Sequence, residues 1–138
     1  MKYLRSAVFA LGLLLVVSAT QAQQVRVKAE IPFDFVVGNQ VLPAGEYAVV
    51  PEGNAQALWI RSDQAKESAM TLTIACTNSG PATSSRLVFH SLGGRYFLSE
   101  IWAQGYDQGR QLPKSGMEVQ LAKNNSTAVF SLAANVMR

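Results

Sequence analysis

From residue 25 onward, apolar side chains recur at every second position, the period of a strand with one face on a core and the other in water. The run VRVKAEIPFDFVV sets Val25, Val27, Ala29, Ile31, Phe33, Phe35 and Val37 on one side, opposite Arg26, Lys28, Glu30 and Asp34. Pro32 has no N–H for a ladder, so this strand is expected at a sheet edge, or bent at Pro32 where it passes from one sheet to another. The same alternation predicts strands over 46–50, 57–61, 69–77, 86–91, 95–102, 117–122 and 127–133. Turn-forming stretches separate them: PEGN, SDQ, TNSGPATSS, LGG, QGYDQG, LPKSG and KNNS. No helical period is visible beyond residue 22. The pattern therefore predicts an all-β fold, an antiparallel β-sandwich or a small β-barrel of about eight short strands.

Two hairpins can be read in register. Gly38-Asn39 forms a two-residue turn with glycine first, which would pair Val37 with Gln40 and Phe35 with Leu42. Pro43 and Gly45 then shape a second turn in LPAGEY, after which Tyr47 and Val49 resume a strand. In LVFHSLGGRYFLSEIW, Gly93-Gly94 joins two apolar runs. A regular ladder there places Leu87 and Phe89 on one face with Tyr96, Leu98, Glu100 and Trp102, which would bury a carboxylate among apolar groups. A bulge near Ser99 resolves this conflict by turning Ile101 inward in place of Glu100. In MTLTIACT, Met70, Leu72, Ile74 and Cys76 are assigned to the core face, with the Cys76 thiol buried and inert.

The N-terminus follows another grammar. MKYLR carries two positive charges and precedes SAVFALGLLLVVSA, an uncharged apolar run of about 14 residues, where a membrane-spanning helix needs about 20. Residues 1–22 are read as a signal peptide cut after Ala22, with Ala19 as the alternative, and 23–138 as a single β-rich domain, exported to the periplasm or the medium. The sole cysteine, Cys76, allows no internal disulfide and is misplaced for a lipid anchor. The chain has 12 Lys and Arg against 9 Asp and Glu. Two of the 12 cations, Lys2 and Arg5, lie in the signal, so the mature domain is nearly neutral and no nucleic-acid partner is expected. Its runs are also short for an outer-membrane barrel, and the chain ends AANVMR without a terminal aromatic strand, so no integral membrane segment is expected after signal cleavage.

Candidate chemistry is sparse. His90 is the only histidine and is placed on the face opposite Phe89, with Arg86 and Arg95; with one His and one Cys, no metal site and no cofactor are expected. No serine sits in a nucleophile elbow, and no glycine-rich loop feeds a helix. The aromatic residues are the remaining group, and Trp59, Trp102 and Tyr106, with Arg110 and Lys114, are the candidate ligand contacts through stacking and cation-π attraction. The competing reading assigns the large rings to the core.

Three stretches, IPFDFVVGNQVLPAGEY, LVFHSLGGRYFLSEIW and GRQLPKS, together resemble a group of small exported hypothetical proteins of acidobacterial type. The resemblance spans most of residues 23–138 and implies an exported β-rich domain, with no catalytic residues carried over. LPAGEY is also similar to the opening of a β-hairpin in several unrelated exported β-sandwich modules. The functional expectation is a non-enzymatic structural or interaction protein of the cell envelope, whose partner could be an envelope glycan, a protein or a small apolar ligand. The alternatives are a binding module for carbohydrate or a small apolar ligand, and a small hydrolase using Glu100 or Asp107.

Overall fold

A computed structural model describes residues 26–52, 56–62, 67–77 and 80–137. The proposed signal, both cleavage positions and Val25 lie outside these residues, as do parts of the PEGN, SDQ and TNSGPATSS turns.

The alternation becomes a β-sandwich of two facing sheets, with no closed barrel among the described residues. The first sheet orders its strands β12, β1, β4, β5, β6, where β1 is Arg26–Ile31, β4 Gly45–Glu52, β5 Ala57–Arg61, β6 Ser68–Leu72 and β12 Asn135–Met137. The second orders β11, β8, β9, β10, β7, where β7 is Ile74–Thr77, β8 Arg86–Leu92, β9 Arg95–Trp102, β10 Gln108–Gln111 and β11 Ala128–Ala133. A hairpin of β2 (Phe35–Val37) and β3 (Gln40–Leu42) joins the second sheet through a parallel pairing of β2 with β9. The chain changes sheet at Pro32, as its missing donor suggests, returns at Pro43-Ala44, and changes again at Thr73 and Ala134.

Both readable hairpins form as the turn chemistry dictates. Gly38 takes φ 60°, pairing Val37 with Gln40 and Phe35 with Leu42. Gly93 and Gly94 take φ 56° and 79°, pairing Leu92 with Arg95. The β8–β9 ladder slips between Val88 and Phe89, so that Val88 faces Glu100 while Phe89 faces Leu98, leaving Ser99 as the extra residue. The shift brings Ile101 into the core with Leu87, Phe89 and Leu98, and sends Glu100 and Trp102 to the other side of the sheet. Across the sandwich these side chains meet Val27, Ile31, Tyr47, Val49, Leu58 and Ile60.

Three expectations are corrected. The strand expected over 117–122 is a helix, α1 (Gly116–Ala122), capped by Ser115, whose Oγ accepts from the Glu118 N–H at 3.1 Å. The QGYDQG stretch, expected to be a turn throughout, gives its last two residues to β10. The segment over 69–77 is two strands in different sheets, and its core face is the reverse of the one expected. Ala69 and Thr73 are buried, whereas Met70, Leu72 and Ile74 are 57%, 70% and 64% exposed. The hydrogen bonds of Thr73 explain the choice: its N–H and Oγ1 both donate to the Gln56 carbonyl, and its Oγ1 and carbonyl accept from Arg110. A residue committed to four polar contacts fixes which parity turns inward, and the larger apolar neighbours are left outside.

This assignment is tested by a pair of substitutions. Phe89→Ala is expected to lower the unfolding free energy by about 3–5 kcal/mol, and Leu72→Ala to change it by less than about 0.5 kcal/mol, both read from denaturant midpoints. Burial, reinforced by Glu67 and Asp34, pushes the Tyr47 hydroxyl above its ordinary value of 10.0. Its proton is therefore held more tightly in the folded state, and the associated stability is complete below pH 10 and lost as pH rises through the folded value. Tyr47→Phe is expected to flatten the alkaline decline in stability above pH 10.

Candidate functional site

The five candidate ligand contacts are not brought together. Trp59 lies on the outer face of the first sheet, half-buried, with the Arg61 guanidinium 4.7 Å from the ring centre and its indole N–H bonded to Glu52. Trp102 lies on the outer face of the second sheet, with both sheets between it and Trp59. There it is only 4% exposed, packed with Ala82, Val88 and Cys76, and its ring covers Gly109 so closely that an added Cβ would sit 2.7 Å from it. A ring enclosed in this way cannot serve as a stacking platform. Arg110 is half-buried and holds Thr73 through Nε and Nη2 at 2.8 Å each, which gives it a structural task. Tyr106 and Lys114 are exposed on separate loops.

The carboxylates considered for hydrolysis are equally separate. Glu100 is half-buried and accepts the Trp102 indole N–H at 2.9 Å. Asp107 is exposed in the loop before β10. Cys76, assigned to the main core from its alternation, is instead half-buried on the outer face of the second sheet. Burial, followed by Glu100, raises its thiol pKa against the opposing pull of Arg110, which disfavours the reactive thiolate. Among the described residues, no three His, Cys, Asp or Glu side chains gather around a common point, and no helix is long and apolar enough to cross a membrane.

One polar pair escaped the sequence reading. His90 Nδ1 lies 2.7 Å from Oε1 of Glu118, which is buried beneath α1. The helix rests on the outer face of the second sheet, where Leu121 meets Val36, Leu92 and Phe97. The signal for it was present as Ser115-Gly116-Met117-Glu118, the spacing of a capping box. In the structure, the Glu118 side chain turns to His90, so the pair ties the helix to β8.

The surface has two shallow hollows of note. One, of about 320 Å³, lies beside the β2–β9 pairing and is lined by Asp34, Val41, Arg95 and Tyr96. The other, of about 230 Å³, lies where Glu30 faces Glu46 across the β1–β4 ladder, beside Lys28 and Asn135. In the second, Lys28 and Glu46 are already joined in an ion pair.

Besides the β11 edge, which is also free of charge and proline and exposes Val129 and Phe130, the sheets end at an edge formed by β6 and β7. Each ends its sheet, β6 pairing only with β5 and β7 only with β10. The run SAMTLTIACT over 68–77 contains no charged residue and no proline. Exposed edges are ordinarily protected by such residues, because their unpaired backbone groups can template a further strand. Here β3 approaches the Ser68 end of β6, where Gln40 Nε2 donates to the Ser68 carbonyl, and Met70, Leu72 and Ile74 add exposed apolar surface to the rest of the edge.

Breaking the buried pair tests the docking of α1. His90→Ala is expected to cost about 1–3 kcal/mol by leaving the Glu118 carboxylate buried without a partner. Adding Glu118→Leu in the same chain is expected to recover part of that loss, because the orphaned charge is removed. Comparisons of the chain with protein-family models, with curated proteins and with solved structures found no match.

Proposed function

We propose that this chain is an exported, non-catalytic interaction domain of the cell envelope that recognises a protein partner by strand addition at its β6–β7 edge. The observation that carries this reading is the uncharged, proline-free edge with its exposed Met70, Leu72 and Ile74. Main-chain groups on an open edge supply affinity to an added strand, and alternate side chains beside it supply selectivity. The charged N-terminus and apolar run of MKYLRSAVFALGLLLVVSA support export. Glu100 and Cys76 adjoin beside Trp102, where burial and then the carboxylate raise the thiol pKa and so work against a reactive thiolate, while Asp107 and His90 lie elsewhere, an arrangement that supports a non-catalytic role. Trp59 remains half-exposed, but a sugar stacking on the face beneath Arg61 would first have to displace that guanidinium.

The test places a photo-crosslinking side chain at Leu72 or, as a control, at Gln120 on the exposed side of α1, in cells that export the full chain. Leu72 is expected to give adducts of discrete mass and Gln120 none. Equal labelling at both positions, or none at Leu72, would sink the reading.

A further inference from the structure

Two backbone hydrogen bonds flanking β6 determine which of its groups face outward. The Ser62 N–H donates to the Glu67 carbonyl at 3.0 Å, and the Thr73 N–H donates to the Gln56 carbonyl at 2.7 Å. Both place odd-numbered residues of this segment toward β5. Backbone groups alternate along a strand, so the N–H and C=O of Ser68, Met70 and Leu72 point away from the sheet. Gln40 Nε2 corroborates this by donating to the outward Ser68 carbonyl at 3.0 Å.

An antiparallel neighbour bonding to this edge must present outward groups with the same alternation. β6 itself does so. Full overlap of Ser68–Leu72 with another Ser68–Leu72 sets Met70 against Met70 and Ser68 against Leu72, all outward-facing positions. Every side chain within that overlap is neutral, so self-pairing brings no like charges together.

The ends of the overlap select the same register. One step beyond it, Glu67 of one copy stands opposite Thr73 of the other. Thr73 holds the Arg110 guanidinium on its Oγ1 and carbonyl. Glu67 shares the inward parity of Thr73, so its carboxylate approaches from the side on which Arg110 lies. A two-fold axis generates this opposition of acid and cation twice. The β11 edge is also uncharged, but Thr127 and Ala134 flank it and supply no such complement.

We infer that the occupant of this edge is a second copy of the chain, its β6 joined antiparallel to the first about a two-fold axis through Met70. The inference rests on the strand-addition reading and names its partner. Pairing joins the two five-stranded sheets into one continuous sheet, with Met70 and Leu72 of both copies side by side on its outer face and Gln40 displaced from the Ser68 carbonyl.

Sedimentation velocity on the purified exported protein tests the register through its central residue. The native protein is expected to be a dimer. Met70→Lys and Met70→Glu, each at an exposed position and each verified as folded by circular dichroism, are expected to weaken association by roughly tenfold or more, since each sets like charges opposite one another. An equimolar mixture of the two variants is expected to recover the dimer, because every Lys then faces a Glu. A native protein that is monomeric, or that grows beyond a dimer with concentration, overturns the inference. So does a charge variant that remains dimeric, or a mixture that stays monomeric. Leu72 adducts in cells whose mass is not twice that of the chain, together with a monomeric purified protein, would overturn self-pairing and leave strand addition to another protein standing.

Discussion

The architecture turns on the extra residue in β9. Without the slip opposite Val88 and Phe89, Glu100 would point between the sheets and Ile101 would point away from them. Burying that carboxylate without a charged partner would cost several kcal/mol, of the order of the whole stability of a small domain. The bulge removes the conflict at the level of the backbone. Its Ser99 carbonyl is not wasted, since it accepts the Leu112 N–H at 2.8 Å and so anchors the segment after β10. The two halves of β9 also acquire different neighbours on their second side, with β2 pairing at Tyr96 and Phe97 and β10 pairing at Glu100 and Ile101.

A consequence of the same shift is that the second sheet needs cover on both faces. Trp102, Val88 and Phe97 point outward from the sandwich core yet remain buried. The loop before β8 covers Trp102, with Ala82 pinned by backbone bonds to Tyr106 and Gly105. The helix α1 covers Phe97, held by Leu121 and by the His90–Glu118 pair. The outer face of the first sheet has no such layer among the described residues, and there Trp59, Met70 and Leu72 remain wholly or partly accessible.

Local rules carried the sequence reading where local geometry decides the outcome. Glycines with positive φ fixed two hairpin registers, proline marked a sheet change, and an acid among apolar neighbours betrayed a bulge. The failures occurred where a distant partner decides. In MTLTIACT both parities are strand-like, and the inward one is chosen by Arg110 and Gln56, which lie far from Thr73 in sequence. The helix spans only seven residues, too few to display its period, and Met117, Val119 and Leu121 alternate as a strand would. Gly109 reads as a turn residue, while its actual role is to leave room for the Trp102 ring. Aromatic residues grouped by chemistry in the sequence proved to be divided between the two outer faces, which no pattern of period two could have separated.

The sheets end in β12 and β6 on one side of the sandwich and in β11, β7 and β3 on the other, and none of these strands carries a charge or a proline. Of the strands inside the sheets, β1 adjoins Pro32 and β4 carries Pro51, while Lys28 and Glu46 form an ion pair on the outer face. On the edge strand β6, Gln40 Nε2 occupies the Ser68 carbonyl and Thr71 Oγ1 the Leu72 carbonyl, and the backbone groups of Met70 pair with no neighbouring strand. Natural sheets ordinarily discourage pairing at such a place with charge, proline or a covering element. Arg61 of β5 faces Ser68, and beyond the ends of β6 stand Glu67 at one and, held on Thr73, Arg110 at the other. Charges in those positions do little to repel an incoming antiparallel strand from the same edge, and they align it. In the proposed pairing, the polar residues that flank β6 act as register marks for an edge whose centre is neutral.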